Sequence, residues 1–172
     1  ATVLGTLAAL SLVRMGRFWG RTLFSGMIYA PLVMPDVITG LSLLLLFVAV
    51  NLDRGFWTRV FAHVTLSMCF VAVVVQSRLI TFDRSLEEAS ADLGESAYGT
   101  FTRVTLPLVA PAIISSLLVS FTISLDEFIM AFFLTGTEST LPVYIWGQLR
   151  FAAKLPSVLA LGTLLLVWWW LY

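Results

Sequence analysis

Five runs of apolar residues divide the chain, and they constrain its fold more than any other feature. Their approximate bounds are 1–13, 23–50, 60–75, 106–134 and 155–172. A helix needs about 20 mostly apolar residues to cross the hydrocarbon core of a bilayer. The three middle runs reach that length with their flanks, whereas the first is too short and the last ends with the chain. The pattern predicts a membrane protein with several crossings.

Composition supports the same class and excludes others. Apolar residues make up 59% of the chain and charged residues 12%, against roughly 25% charged in a soluble domain. Ten basic and ten acidic residues leave no net charge for nucleic acid to attract. With Cys69 as the single cysteine, no disulfide framework forms. No phosphate-binding loop or other familiar catalytic motif occurs, so the sequence indicates no enzyme.

Lipid requires every backbone amide to be satisfied within its own segment, so the runs predict helices and an all-α fold. The second run contains Pro31 and Pro35 between Gly26 and Gly40, which predicts a kinked helix packed against neighbours. Ala1 is not a start residue, and no basic signal-peptide segment precedes the first run. We therefore expect one transmembrane domain over residues 1–172, cut from a longer protein at both ends.

Orientation follows from the basic residues between the runs. Two connections on the same side carry six arginines: Arg14, Arg17, Arg21, Arg78, Arg84 and Arg103. The other side carries four basic residues: Arg54, Arg59, Arg150 and Lys154. The positive-inside rule therefore places the connection at residues 82–105 in the cytoplasm.

That connection is polar but patterned, which predicts a short surface helix. Ser85 and Glu88 have the spacing of a capping box. A thin apolar stripe recurs every three or four residues, at Leu86, Ala89, Leu93 and Ala97. Gly94 predicts a bend or a close backbone approach, and Gly99 suits a left-handed helix end. The pattern alone leaves two alternatives, a partner-binding helix or a simple connector.

The spacing of the motif resembles the E-A-A-x-x-x-G-x(9)-I-x-L-P loop of the membrane subunits of bacterial ABC importers. Glu88-Ala89-Ser90 is followed after three residues by Gly94, and after nine more by Val104-Thr105-Leu106-Pro107. Ser90 replaces an alanine and Val104 an isoleucine, and both changes preserve size. The stretches at 30–43, 62–65, 82–89 and 121–128 are similar to the polyamine branch of this family. Glu127 departs from its usual aspartate pair by one methylene.

The resemblance implies a type I importer permease fold in the bacterial cytoplasmic (inner) membrane. It implies that residues 82–105, here called the coupling segment, dock into an ATPase subunit, which holds the ATP and Mg, with no cofactor on this chain. The residues to which this role carries over are Glu88, Ala89, Ser90, Asp92, Gly94, Leu106 and Pro107. Further implied partners are a second membrane subunit, an external substrate-binding protein, membrane lipid and a polyamine substrate.

Three acids lie within apolar runs, where a carboxylate is costly and usually faces a cavity or a partner. Asp126 and Glu127 are expected inside the long helix of the fourth run, and Asp36 follows Pro35. One alternative is that Asp126 or Asp36 caps or bonds a broken helix, or pairs with an arginine. We hypothesise instead that Asp126, with Glu127 in support, lines a cation pathway.

The aromatic and polar residues outside these motifs carry weaker predictions. Tyr144 and Trp146, in an external segment, are candidates to stack on an ammonium group, with ordinary packing as the open alternative. His63 is expected in hydrogen-bonded packing, since no further ligands accompany it. Aromatic residues near the C-terminal end predict an interfacial belt: Trp168, Trp169, Trp170 and Tyr172.

Two rival functions remain open at this point. The first keeps the permease and changes the cargo, although an anion pathway favours basic residues over acids. The second is a membrane enzyme or scaffold whose loop helix only binds a soluble protein. Activity on a substrate without ATP distinguishes the second rival from a transporter.

Overall fold

A computed structural model describes residues 1–171, apart from the side chain of Trp169, and within them the chain is all-helical. The helices are α1 (Thr2–Arg14), α2 (Arg21–Val33), α3 (Asp36–Ala49), α4 (Phe56–Thr81), α5 (Ser85–Asp92), α6 (Ala97–Thr100), α7 (Leu106–Asp126), α8 (Ile129–Leu134), α9 (Leu141–Gln148) and α10 (Leu155–Leu171). A π-helical segment, Phe101–Thr105, joins α6 to α7, and a 3-10 turn precedes α10. The all-α prediction is confirmed. Tyr172 and the Trp169 side chain, both assigned to the interfacial belt, lie outside the described residues.

Helix α4 is the centre of the packing. It contributes to three buried apolar clusters, one shared with α1 and α7, one with α3 and α8, and one with α1 and α2. Its fully buried residues include Val71, Ala72 and Val75. The other helices are therefore positioned by their contacts with α4.

Helices α1 and α4 run parallel and in close contact. Gly5 lies against Met68 and Val71, and a Cβ at Gly5 would come within 2.6 Å of the Met68 carbonyl oxygen. Nine residues later, the Arg14 guanidinium lies 5.4 Å from the ring centre of Phe82. Both helices therefore end at the same end of the molecule, which is where α5 follows.

The second apolar run forms two helices rather than one kinked helix. The chain bends by 118° between α2 and α3. The helix breaks there because Met34 and Pro35 are both extended, and a residue before proline avoids the helical region. Since α1 and α4 are parallel, the chain that joins the end of α1 to the start of α4 must run once to the opposite end of the molecule. Helices α2 and α3 together thus carry the chain to the opposite end of the molecule.

Helix α7 runs antiparallel to α4. Near the α5 end, Arg78 Nε donates to the Leu108 carbonyl at 3.3 Å. Towards the other end, His63 Nδ1 and Ser124 Oγ are 2.9 Å apart, which confirms hydrogen-bonded packing for His63. Helix α7 then ends at Asp126, and Glu127 is extended. The prediction that both acids lie inside one long helix is therefore wrong, because the chain breaks between them and α8.

Among residues 1–171, two helical segments are long and apolar enough to cross a bilayer, Phe56–Thr81 and Ala97–Asp126. The second joins α6, the π-helical segment and α7. Counting α2 and α3 as one broken crossing gives a third. Helix α1 and the α10 region are apolar but shorter.

Candidate functional site

The coupling segment begins with a side-chain bond that differs from the predicted capping box. The Ser85 backbone N–H donates to Asp83 Oδ1 at 3.0 Å, and no side-chain cap from Ser85 itself is formed. Ser85 is already the first helical residue, so Asp83 takes the position that satisfies an unpaired amide. This bond holds the pKa of the exposed Asp83 carboxyl below its usual value. The capping-box prediction for Ser85 and Glu88 is wrong.

Helix α5 has no buried residue. The predicted apolar stripe is open to solvent, with Leu93 89% and Leu86 47% exposed. Glu88 and Asp92 are exposed as well. The helix thus exposes both its apolar stripe and its acids on the surface of the protein.

The prediction for one of the two glycines in this segment holds, and the prediction for the other does not. Gly94 lies just beyond α5 with φ +84°, so it makes the left-handed turn, and no other group approaches it closely. The bend predicted at Gly94 is confirmed. Gly99 is buried within α6, where a side chain would collide with Glu95. The left-handed end predicted at Gly99 is therefore wrong, because Gly99 is helical and its nearest neighbour is the end of the flexible Glu95 side chain.

The structure brings the two halves of the sequence motif together. A groove of about 390 Å³ lies between α5 and the start of α7, and its lining residues are Leu86, Ala89, Ser90, Leu93, Arg103, Val104, Pro107 and Leu108. Leu106 begins α7 with Pro107 in the first turn, directly after the π-helical segment. Ser90 Oγ lies 3.0 Å from Thr100 Oγ1, which ties α5 to α6. Ala89, Ser90 and Pro107 thus share one surface.

Glu87 is a residue of this region that the sequence does not single out. Its Oε1 atom accepts hydrogen bonds from Arg14 Nη2 at 3.0 Å and from the Thr105 hydroxyl at 2.7 Å. Arg14 precedes Glu87 by 73 residues, so no local pattern predicts this pair. The only signals of this pair in the sequence are an arginine at the end of the first apolar run and a carboxylate in the next polar connection on that side.

The three membrane acids lie at the two helix breaks. Asp36 is the first residue of α3, and Asp126 and Glu127 separate α7 from α8. Asp36 and Asp126 both lie close enough to Glu127 for their charges to act on it. The packing of Gly40 of α3 against Met130 and Phe133 of α8 holds the two breaks side by side.

The two adjacent acids have different surroundings. Glu127 Oε1 accepts the Met130 backbone N–H at 2.6 Å and so caps α8. An acid does cap the broken helix, but it is Glu127 rather than Asp126 or Asp36, the two acids for which the sequence suggests that role. Asp126 is exposed and lines a cavity of about 340 Å³ with residues of α7, α9 and α10, including Thr122, Leu141 and Leu165. Asp126 is thus the acid that faces open space.

The aromatic candidates occupy α9. Trp146 packs against Phe128 and Phe132, with ring centres 5.7 and 5.2 Å away. The guanidinium of Arg150 lies 4.2 Å from the centre of the Trp146 ring. Tyr144 is exposed. The face of the Trp146 ring can bind a cation, but the guanidinium of Arg150 already covers part of that face.

Within the described residues no group of three His, Cys, Asp or Glu side chains has the arrangement needed to hold a metal ion. At the breaks, Asp126 is the carboxylate that lines a cavity.

Comparison with known proteins places these features among transport components. Residues 1–169 match the family described as "Binding-protein-dependent transport system inner membrane component". The putrescine transport system permease protein PotI of Escherichia coli K12 is 51% identical over 96% of this chain and 61% of its own length.

More distant relatives carry similar names. The spermidine/putrescine transport system permease proteins PotC of E. coli K12 and of Haemophilus influenzae are each 39% identical over 97% of this chain, and over 63% and 65% of their own lengths. The chain thus spans somewhat less than two thirds of the length of these curated relatives.

Proposed function

Because the chain belongs to the family of inner membrane components of binding-protein-dependent transport systems, we propose that it is a membrane subunit of an ATP-driven polyamine importer. The observation that carries the proposal is the 51% identity to a putrescine permease over 96% of the chain. Putrescine and spermidine are the proposed cargo. The subunit itself does not hydrolyse ATP in this proposal, since hydrolysis belongs to a separate chain.

The coupling segment is the proposed contact with that ATPase. Its exposed apolar stripe and the acids Glu88 and Asp92 provide a mixed surface for a soluble partner. The groove between α5 and α7 joins this surface to a membrane crossing. Movement of the ATPase is thereby passed to the helices. ATP and Mg bind the ATPase, and a second membrane subunit and an external binding protein complete the assembly.

The acids at the helix breaks are the proposed cation pathway. Asp126 faces the cavity and is the residue assigned to the cargo, while Asp36 and Glu127 add negative charge beside it. A polyamine has several ammonium groups, which offset the cost of a carboxylate in the membrane. Trp146 and Tyr144 are proposed to meet the cargo at the outer end.

The proposed location is the bacterial cytoplasmic membrane, with several crossings. Two apolar spans and one broken crossing support this arrangement. The coupling segment then lies in the cytoplasm, in agreement with the six arginines predicted for that side.

The test is ATP-dependent uptake of labelled putrescine and spermidine by the full-length protein with its partner subunits. Wild type is compared with Gly94→Val and with Gly26→Val. A branched side chain at the left-handed Gly94 costs roughly 1–2 kcal/mol or more and moves the end of α5, so uptake should be lost. Gly26 lies in a helix with open space around it, so its variant should retain uptake.

Two outcomes overturn parts of this proposal. An assembled wild-type complex that imports neither amine rules out polyamine cargo. Uptake by Gly94→Val at the level of Gly26→Val contradicts the role of the coupling segment.

A further inference from the structure

Helix α5 is attached to the transmembrane helices by polar bonds rather than by an apolar core. No residue of α5 is buried. Besides the contact between Ser90 and Thr100 of α6, the side-chain hydrogen bonds of α5 go to Arg14 at the end of α1 and to Thr105 just before α7. Arg84, just before α5, also donates to the Val13 carbonyl at 3.0 Å. The position of α5 therefore depends on a few defined contacts.

Glu87 is the contact that serves two helices at once. One oxygen, Oε1, accepts from Arg14 at the end of α1 and from Thr105 next to α7. Because the same atom makes both bonds, a displacement of α5 acts on α1 and α7 together. The side chains of Arg14 and Glu87 are 19% and 22% exposed, so water screens this ion pair only partly.

Stability alone is a weak explanation for the pair. The desolvation of two charges often cancels their attraction, so that apolar replacements are frequently as stable. Two nitrogens of Arg14, Nε and Nη1, are also buried without a hydrogen-bond partner within the described residues. The arrangement therefore tolerates an energetic cost at the junction between α5 and two membrane helices.

We propose that Glu87 is a positioning residue that makes α1 and α7 follow the movement of α5. The proposal rests on the proposed function for its transport readout, and it goes further by assigning transmission to one carboxylate. Glu88, Asp92 and the apolar stripe meet the partner, whereas Glu87 faces inward and carries the displacement to the membrane helices.

The first test measures cargo uptake and ATP hydrolysis in the same reconstituted complex, for wild type, Glu87→Gln and Glu138→Gln. The glutamine keeps the size of Glu87 and an acceptor for Thr105 but removes the charge that holds Arg14. Coupling between sites commonly corresponds to 5–150-fold effects, so we expect cargo moved per ATP to fall about tenfold. Glu138 is an exposed partner of Arg59 at 3.7 Å, and its variant should keep the wild-type ratio.

A double variant, Arg14→Gln with Glu87→Gln, guards against misfolding, because it leaves no unpaired charge. It should assemble with its partners at the wild-type level and still show the low ratio. A ratio equal to that of wild type in the assembled double variant overturns the proposal. So does a proportional fall of uptake and hydrolysis in Glu87→Gln.

A second readout does not depend on the cargo. Spin labels at Leu7→Cys and Ser85→Cys report the distance between α1 and α5 in the assembled complex, and buried Cys69 does not react. Trapping with ATP and Mg should leave this distance unchanged in wild type and change it in Glu87→Gln. Equal behaviour of the two proteins refutes the role of Glu87 even if the cargo is not a polyamine. Conversely, absent polyamine uptake with the expected distances refutes only the cargo.

Discussion

Asp126 and Glu127 are neighbours in the chain, but the helix break gives them separate tasks. Glu127 is used by the fold, because it accepts the Met130 amide at the start of α8. Asp126 lines a cavity instead. The sequence predicts acids in a costly environment, but not which acid is used structurally. That division depends on where the helix ends, and the apolar pattern continues through residue 134 without marking it.

Substitution of the two acids should separate stability from transport. Glu127→Ala removes a helix cap, so it should lower the stability of the purified complex by about 1 kcal/mol, measured as a lower Tm. Asp126→Asn should leave the Tm unchanged and reduce polyamine uptake at equal expression. Normal uptake and apparent affinity in Asp126→Asn would remove Asp126 from the pathway.

Asp83 should make the start of α5 sensitive to acid. Its pKa is lowered in the folded protein by the Ser85 N–H, so the charged form stabilises the helix start above its unfolded pKa of about 4. That contribution is lost as pH falls through the lower, folded pKa. Hydrogen exchange of the Ser85 amide should be several-fold faster in Asp83→Ala at neutral pH.

Asp83→Asn is the matched control for this effect. Its amide oxygen can still accept the Ser85 N–H but does not titrate, so protection should persist without the acid transition. Identical exchange in wild type and Asp83→Ala contradicts a capping role.

At the scale of elements, the apolar runs predict the helices well because lipid leaves few alternatives for the backbone. Their breaks are predicted less well. Prolines indicate a kink in the second run, but they do not predict that the helix ends at Val33 and restarts at Asp36 with a bend of 118°. The contact between Arg14 and Glu87 joins distant parts of the chain. It follows from the parallel packing of α1 and α4, which no local periodicity encodes.

Gly5 should be essential for that parallel packing. In Gly5→Ala the added methyl meets the Met68 carbonyl and the Val71 Cβ at 2.6 Å, and neither atom can rotate away. Overpacking of this kind costs typically about 1–3 kcal/mol, so the Tm of the complex should fall. Small residues at such helix contacts allow backbones to approach in membranes.

Gly26→Ala provides the control for Gly5→Ala. Gly26 is helical with open space around it, and alanine is favoured over glycine in a helix by about 1 kcal/mol. Its Tm should stay the same or rise. Equal Tm changes in both variants mean that α1 and α4 are not in close contact.

For the whole molecule, the outer surface carries many exposed apolar side chains, including Val33, Leu45 and Leu118. Patches of this extent mark surfaces that contact lipid or other subunits. The parallel arrangement of α1 and α4 also determines which loops share a side. The loop before α4 and the coupling segment lie at opposite ends.

Labelling with a membrane-impermeant maleimide tests this arrangement. Asp53→Cys should react in intact cells, whereas Ser85→Cys should react only after the membrane is permeabilised. The native Cys69 is fully buried, so wild type provides the unlabelled background. Reaction of Ser85→Cys in intact cells reverses the proposed orientation.

The position of Asp36 at the start of α3 has a further consequence for the proposed cation pathway. A helix carries a partial positive charge at its first turn, and this charge offsets part of the negative charge contributed by Asp36. The Glu127 carboxylate also accepts a hydrogen bond from the Met130 amide. In the proposed pathway, Asp36 and Glu127 therefore attract a passing cation less than two free carboxylates would, and Asp126 is left as the acid that faces the cavity. This weaker attraction suits brief residence and rapid release of the proposed cargo rather than its retention.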